Sequence, residues 1–236
     1  MLTALNGEWT DLKVRIDQDE ALRYLGYKGR GGLTPRIQEL IRELSQLAEE
    51  LAQPRGIGML YPVQREGESL RVESLCLAGP RTLSRLGPLC QAYLFSVTIG
   101  EELEKEVVAF FASGEYTKGA VLDSLGSSAV ESLAAEVNKR LREQVRREGL
   151  LALERISPGY GDWPLEDQFQ LYPLTKAAEI GVKLTDSGLL IPRKSITALI
   201  GIRPGEAGGV GEDEPSGCTG CDLSDCLYRR GEVEGD

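Results

Sequence analysis

Glu154-Arg155-Ile156-Ser157-Pro158-Gly159-Tyr160-Gly161 is the stretch from which the rest of the chain is read. The apolar run before it, Leu150-Leu151-Ala152-Leu153, is too short for a helix and is flanked by turn formers, so it predicts a buried strand that breaks at Pro158-Gly159. Arg155 offers a planar fork of donors that matches a carboxylate, Ser157 a hydroxyl, Pro158 a fixed backbone, Gly159 a permissive turn and Tyr160 a phenol. The residues alone leave two readings open. One is a strand end built to hold a small anionic ligand; the other is an arginine paired with a surface acid beside an ordinary Pro-Gly turn.

Working outward, residues 117–148 read as a long helix. Leu122, Leu125, Ala129, Val130, Leu133, Val137, Leu141 and Val145 fall on one side, and Gly126-Ser127-Ser128 is a candidate kink. Its end, from Lys139-Arg140 to Arg146-Arg147, is the one basic cluster, diluted by Glu143 and Glu148. Such charges suit a solvated face near a helix C-terminus, with docking to an acidic redox partner as a second reading. Beyond the opening stretch, residues 167–178 predict a short helix interrupted near Pro173. Val182-Lys183-Leu184 and Leu189-Leu190-Ile191 predict a hairpin, and residues 195–202 a further strand.

Toward the N-terminus, Thr34-Pro35 opens an amphipathic helix with Thr34 as N-cap, and Pro54 closes it. Strands are expected over residues 56–62, 70–77 and 89–99, with Cys76 and Cys90 as small buried hydrophobes inside them. After Gly100 an acidic run starts a helix that leads to Phe110-Phe111. Leu12-Lys13-Val14-Arg15-Ile16 alternates like a strand, and Asp17 with Glu20 forms a capping box for a short helix that stops at Gly26. Lys28-Gly29-Arg30-Gly31-Gly32 lacks the spacing of a phosphate loop and reads as a connector. Together these predict an α+β domain: a mixed, largely antiparallel twisted sheet covered by long helices.

Bulk properties narrow the chemistry. A 41% hydrophobic content with 27% charge is that of an ordinary globule, and a formal charge of −10 argues against a nucleic-acid or anionic-membrane partner. No apolar run reaches the ~20 residues of a membrane span, which points to the cytoplasm. The chain has no histidine, which removes Ser-His-Asp and Cys-His catalysis and imidazole-ligated metals.

A second chemical feature lies at the end, Cys218-x2-Cys221-x4-Cys226 behind a Gly/Glu-rich linker over residues 205–217. A flexible linker of that length reaches ~20 Å. Three close cysteines favour metal or redox chemistry over a structural disulfide. Three thiolates suit an iron–sulfur cluster with one open iron site, or zinc with a fourth ligand from Asp222, Asp225 or a partner's thiolate; a redox disulfide and an inert tail remain alternatives.

In register, these segments resemble a known family. Arg155-Ile156-Ser157-Pro158-Gly159-Tyr160 resembles the Arg-x-x-Pro-Gly-Tyr signature of the S-adenosylmethionine-binding activation domain of cobalamin (vitamin B12)-dependent methionine synthase. Leu184-Thr185-Asp186-Ser187, followed by Pro192 and Ser195, resembles a later motif. Upstream, Gly56-Ile57-Gly58-Met59-Leu60-Tyr61-Pro62, Ser96-Val97-Thr98-Ile99-Gly100-Glu101-Glu102 and the helix around Glu131 come in the family's order. The resemblance covers roughly residues 50–203.

It implies a module that binds S-adenosylmethionine for reductive methylation of an inactive Co(II) corrinoid. The cobalamin is held by a partner, a corrinoid-binding methionine synthase subunit or another corrinoid protein, and a flavodoxin or ferredoxin is the implied electron source. By position, Arg155 would grip the methionine carboxylate, the Ser157 backbone would contact the ligand, and Pro158, Gly159 and Tyr160 would complete the pocket. The sequence departs from the family where Ile202-Arg203-Pro204 runs into a Gly/Glu-rich linker instead of a Tyr-Tyr pair, and no acidic ligand contact is placed near the start. The corrinoid-, folate- and homocysteine-binding parts have no match, so the implied protein is a stand-alone activation component. The expected layout is an N-terminal extension over residues 1–33, the activation-domain-like core over 34–204, the linker over 205–217 and a cysteine-rich acidic tail over 218–236, with Cys218, Cys221 and Cys226 as metal ligands.

Overall fold

The computed structural model describes residues 5–27, 30 and 32–205. In chain order these form β1 (Gly7–Trp9), α1 (Gln18–Tyr24), α2 (Pro35–Leu51), β2 (Arg55–Pro62), β3 (Gln64–Glu66), β4 (Ser69–Val72), β5 (Leu75–Leu77) and α3 (Pro80–Leu86). There follow β6 (Gln91–Thr98), α4 (Glu102–Ala112), α5 (Tyr116–Arg146), β7 (Leu150–Ala152), α6 (Gln168–Thr175), β8 (Lys183–Leu184), β9 (Leu190–Ile191) and β10 (Ser195–Pro204). The central sheet has the order β1-β2-β6-β10-β7. Every pairing among the described strands is antiparallel.

The run over residues 89–99 reads as continuously apolar because β6 is buried on both faces. Tyr93, Phe95 and Val97 point into the core beneath the helices with Ala198, Ile200 and Ile202 of β10, whereas Ala92 and Leu94 point with Leu199 into a second core that includes Trp163 and Leu171. α5 crosses the first face with α1, α2 and α4 packed around it. It continues as one helix for 31 residues, about 46 Å at 1.5 Å per residue, with no break at Gly126. The reason for a glycine there is packing: a Cβ at Gly126 would stand 2.6 Å from a Leu103 methyl, so its absence lets α4 approach. No described helix is long and apolar enough to cross a membrane.

Three expectations change. Residues 12–16 form no strand; the alternation instead reflects a segment laid along α5, where Ser132 Oγ accepts from the Arg15 amide at 3.2 Å and Ser128 Oγ from the Asp17 amide at 3.0 Å. The first main-sheet strand is β1. Residues 70–77 turn back on themselves, and β4 and β5 join β3 in a separate three-stranded sheet. Cys90 is exposed and Cys76 half-buried, because Cys90 precedes β6 and its thiol lies 3.2 Å from the Ile202 carbonyl at the sheet margin. The caps are as read: Thr34 Oγ1 accepts from the Ile37 amide at 3.3 Å, and Asp17 accepts from the Asp19 and Glu20 amides. The capping box is half-realised, since Ser128 takes the Asp17 amide and Glu20 pairs with Arg23.

Candidate functional site

The Arg155 stretch is held against β10 by backbone. Beyond β7, Leu153 donates to the Gly201 carbonyl at 2.9 Å, and Ile156 exchanges both amide bonds with Leu199 at 2.9 and 2.8 Å. Register with β10 therefore sets where Arg155 stands. The Ser157 hydroxyl turns inward and donates to the Thr197 carbonyl at 2.8 Å, so its side chain is spent on the fold. Pro158 is buried, and Gly159 takes a φ of +89° that disfavours any side chain, letting its amide reach the Trp163 carbonyl at 2.8 Å. Trp163, 3% exposed, plugs the turn from below and donates to Asp167 at 3.0 Å.

Asp162 locks this turn to α3. Its carboxylate accepts from the amides of Arg81 and Thr82 and from the Thr82 hydroxyl at 2.6–2.9 Å. It supplies from a distant turn the cap that Gly79 lacks. The Thr82 hydroxyl and these amides hold the Asp162 carboxyl below its usual range.

The turn delivers Arg155 and Tyr160 to the α5 surface. Arg155 forms an ion pair with Glu131, with side-chain exposures of 23% and 29%. Tyr160 stands at the mouth, 65% exposed. Desolvation and the Glu131 carboxylate raise its phenol above the usual range, and Arg155 and Arg23 pull it back. Across the pair stands α1. There the Tyr24 phenol is raised by burial, then by Glu131 and Glu20, with the Arg23 guanidinium 4.7 Å over its ring. α1 holds this position through Ser128, one turn before Glu131, whose hydroxyl donates to the Asp17 carbonyl at 2.8 Å while accepting its amide.

The arrangement is a half-open charge pair whose carboxylate acts on two phenols. Of the sequence-predicted residues, Arg155 and Tyr160 converge here, whereas Ser157, Pro158 and Gly159 shape the turn that carries them. Glu131, Arg23 and Tyr24 were missed as site residues. Glu131 stood only within a helix, and α1 carries a capping motif but no ligand-binding one; the packing of α1 on α5 brings them in. A separate depression of about 210 Å³ between α1 and α2, lined by Gln18, Leu22, Arg30, Leu33, Gln38 and Ile41, is smaller than the ~300–1,000 Å³ typical of ligand sites and contains none of these groups. No cluster of three metal-ligating side chains occurs among the described residues. Cys218, Cys221 and Cys226 and all but the first residue of the linker lie outside them.

Sheet order and the helix-covered face define the class, an antiparallel α+β domain with a single long helix backing the sheet. Among solved structures the chain is similar to the MetH reactivation domain bound to AdoHcy, with a TM-score of 0.60 and 19% identity over 79% of this chain and 73% of that chain. The chain has that reactivation-domain fold. No protein-family model matches it, and no curated protein gives a significant match.

Proposed function

We propose that this protein is an activation component of a cobalamin-dependent methionine synthase, binding S-adenosylmethionine for reductive methylation of an inactive Co(II) corrinoid on a partner protein. The observation that carries the reading is the half-buried pair of Arg155 with Glu131, whose carboxylate acts on the phenols of Tyr24 and Tyr160. It occurs in a fold shared with a domain solved with AdoHcy. The guanidinium already engages a carboxylate, the group that the methionine end of the ligand presents. Carboxylate and aromatic groups together suit a sulfonium cation. The residues present therefore fit the ligand. Arg155 would take its carboxylate, Tyr160 and Tyr24 would flank it, and the backbone of Ser157, Pro158 and Gly159 would line its approach.

S-adenosylmethionine supplies the methyl group. This chain positions it and needs no general base, in keeping with the absence of histidine. Calorimetry with S-adenosylmethionine tests binding: heat with the parent protein and its loss in Arg155→Ala are expected, and no heat with the parent overturns the reading. Mixing with a Co(II) corrinoid protein, S-adenosylmethionine and a reductant, flavodoxin or ferredoxin, tests the role by the visible spectrum of methylated cobalt.

The cysteine motif favours a second reading, a docking or electron-transferring module for a corrinoid protein with a metal on Cys218, Cys221 and Cys226. Anaerobic purification with metal analysis discriminates. An iron–sulfur absorption lost in Cys221→Ser supports electron transfer, zinc supports a clamp, and neither metal rules out both forms.

A further inference from the structure

The basic end of α5 takes no part in the site above, and the chain leaves the described structure directly beside it. The Gly205 amide donates to the Gly149 carbonyl at 3.0 Å, and the Gly149 amide to the Arg146 carbonyl at 3.1 Å, so the exit point is two hydrogen bonds from the last turn of α5. On that turn and the one before it, Lys139, Arg146 and Arg147 are exposed, and no ion pair among the described residues engages them. Arg140 and Arg142, by contrast, are taken by Asp11, Glu136 and Glu154. Glu143 is the opposing exposed charge on this end, and Glu148 is already engaged.

What leaves there is strongly acidic. Residues 206–236 hold nine acidic and two basic side chains, seven of the chain's ten net negative charges. The first 13 residues after Pro204 carry Glu206, Glu212, Asp213 and Glu214 and no cation. We propose that the acidic linker docks on the Lys139, Arg146 and Arg147 end of α5, which brings the cysteine segment, residues 218–226, within reach of the Arg155 turn.

The lengths agree. Cys218 follows Glu214 by four residues, a reach of up to ~14 Å. Along α5, Lys139 lies eight residues from Glu131, about 12 Å. With Glu214 on Lys139, the height of the Glu131 and Arg155 pair along α5 lies within the reach of Cys218. The docking stands on charge and chain geometry. Only its consequence, thiols within reach of the ligand site, rests on the proposed function.

The test uses the full chain and zero-length carbodiimide coupling, which joins the Lys139 amine to a neighbouring carboxylate as an amide that peptide mass spectrometry locates. In the monomer fraction we expect Lys139 joined to Glu212, Asp213 or Glu214. The yield should fall about fivefold with Arg146→Glu and Arg147→Glu together, and recover when Asp213→Arg and Glu214→Arg are added, leaving Glu212 to couple. Salt at ~0.5 M should also suppress it. Absence of the product, its confinement to cross-linked dimers, or indifference to charge reversal overturns the docking. Arg155→Ala should leave the cross-link intact while removing ligand heat, so failure of the docking and failure of the binding reading are distinguishable.

Discussion

Two cation–carboxylate pairs lie two turns apart on α5 and differ in what else holds them. Lys194, 7% exposed, gives its ammonium to Asp123 and Ser127, both at 2.8 Å. Its amide goes to Glu104 at 2.7 Å, and its carbonyl accepts the Ile99 amide at 3.2 Å. Those bonds tie β10 to α4 and α5. Arg155 and Glu131 are half-open and joined to each other, and the Glu131 charge reaches two phenols. In the first pair the cation is buried between two acceptors and belongs to the fold. The second keeps unused donors near solvent, the condition for exchanging a partner carboxylate for a ligand's.

Removing each cation puts the contrast at risk. Lys194→Met should lower unfolding stability by about 1–2 kcal/mol in urea titrations, because Asp123 and Ser127 lose a partner whose ammonium is buried, although Asp123 itself is 39% exposed and regains water. Arg155→Ala should cost within about 1 kcal/mol of stability. Its S-adenosylmethionine affinity should nonetheless fall by at least about thirtyfold in calorimetry. Equal stability losses in the two variants would erase the distinction.

A smaller effect is expected at Asp162, which fastens the Arg155 turn to α3. Its folded-state carboxyl is held below the ordinary 3.8, so its contribution is present above that value and lost as pH falls through the folded-state value. The stability advantage of the parent over Asp162→Asn should therefore be present near pH 6 and shrink toward about pH 3. An advantage that grows on acidification contradicts this.

Smallest is a titration. Because the Glu131 charge raises both phenols, Glu131→Gln should move tyrosinate absorbance to lower pH without unfolding the protein. Unchanged Tyr24 and Tyr160 curves would separate Glu131 from the phenols.

Much of the fold was legible in local pattern. Thr34-Pro35 marks a helix start because cap and fixed φ act within one turn, and the β8 and β9 hairpin follows from the turn residues between its strands. The misreadings share one cause. The segment over residues 12–16 alternates because one side meets α5, and β4 and β5 read as one strand because apolar character does not distinguish a hairpin from an extended run. Cys90 looked buried because its neighbours in β6 are, yet it precedes the first ladder residue.

By itself the sequence determined the α+β composition, the helix caps, the absence of imidazole chemistry and the turn that carries Arg155, all set by residues within a few positions of one another. Only the tertiary structure decided that Glu131 faces Arg155, that Tyr24 and Arg23 join them, and that the acidic C-terminal stretch departs beside the basic end of α5. Those contacts span between 24 and more than 100 residues of chain, and only the packing of α1 and β10 on α5 brings them together.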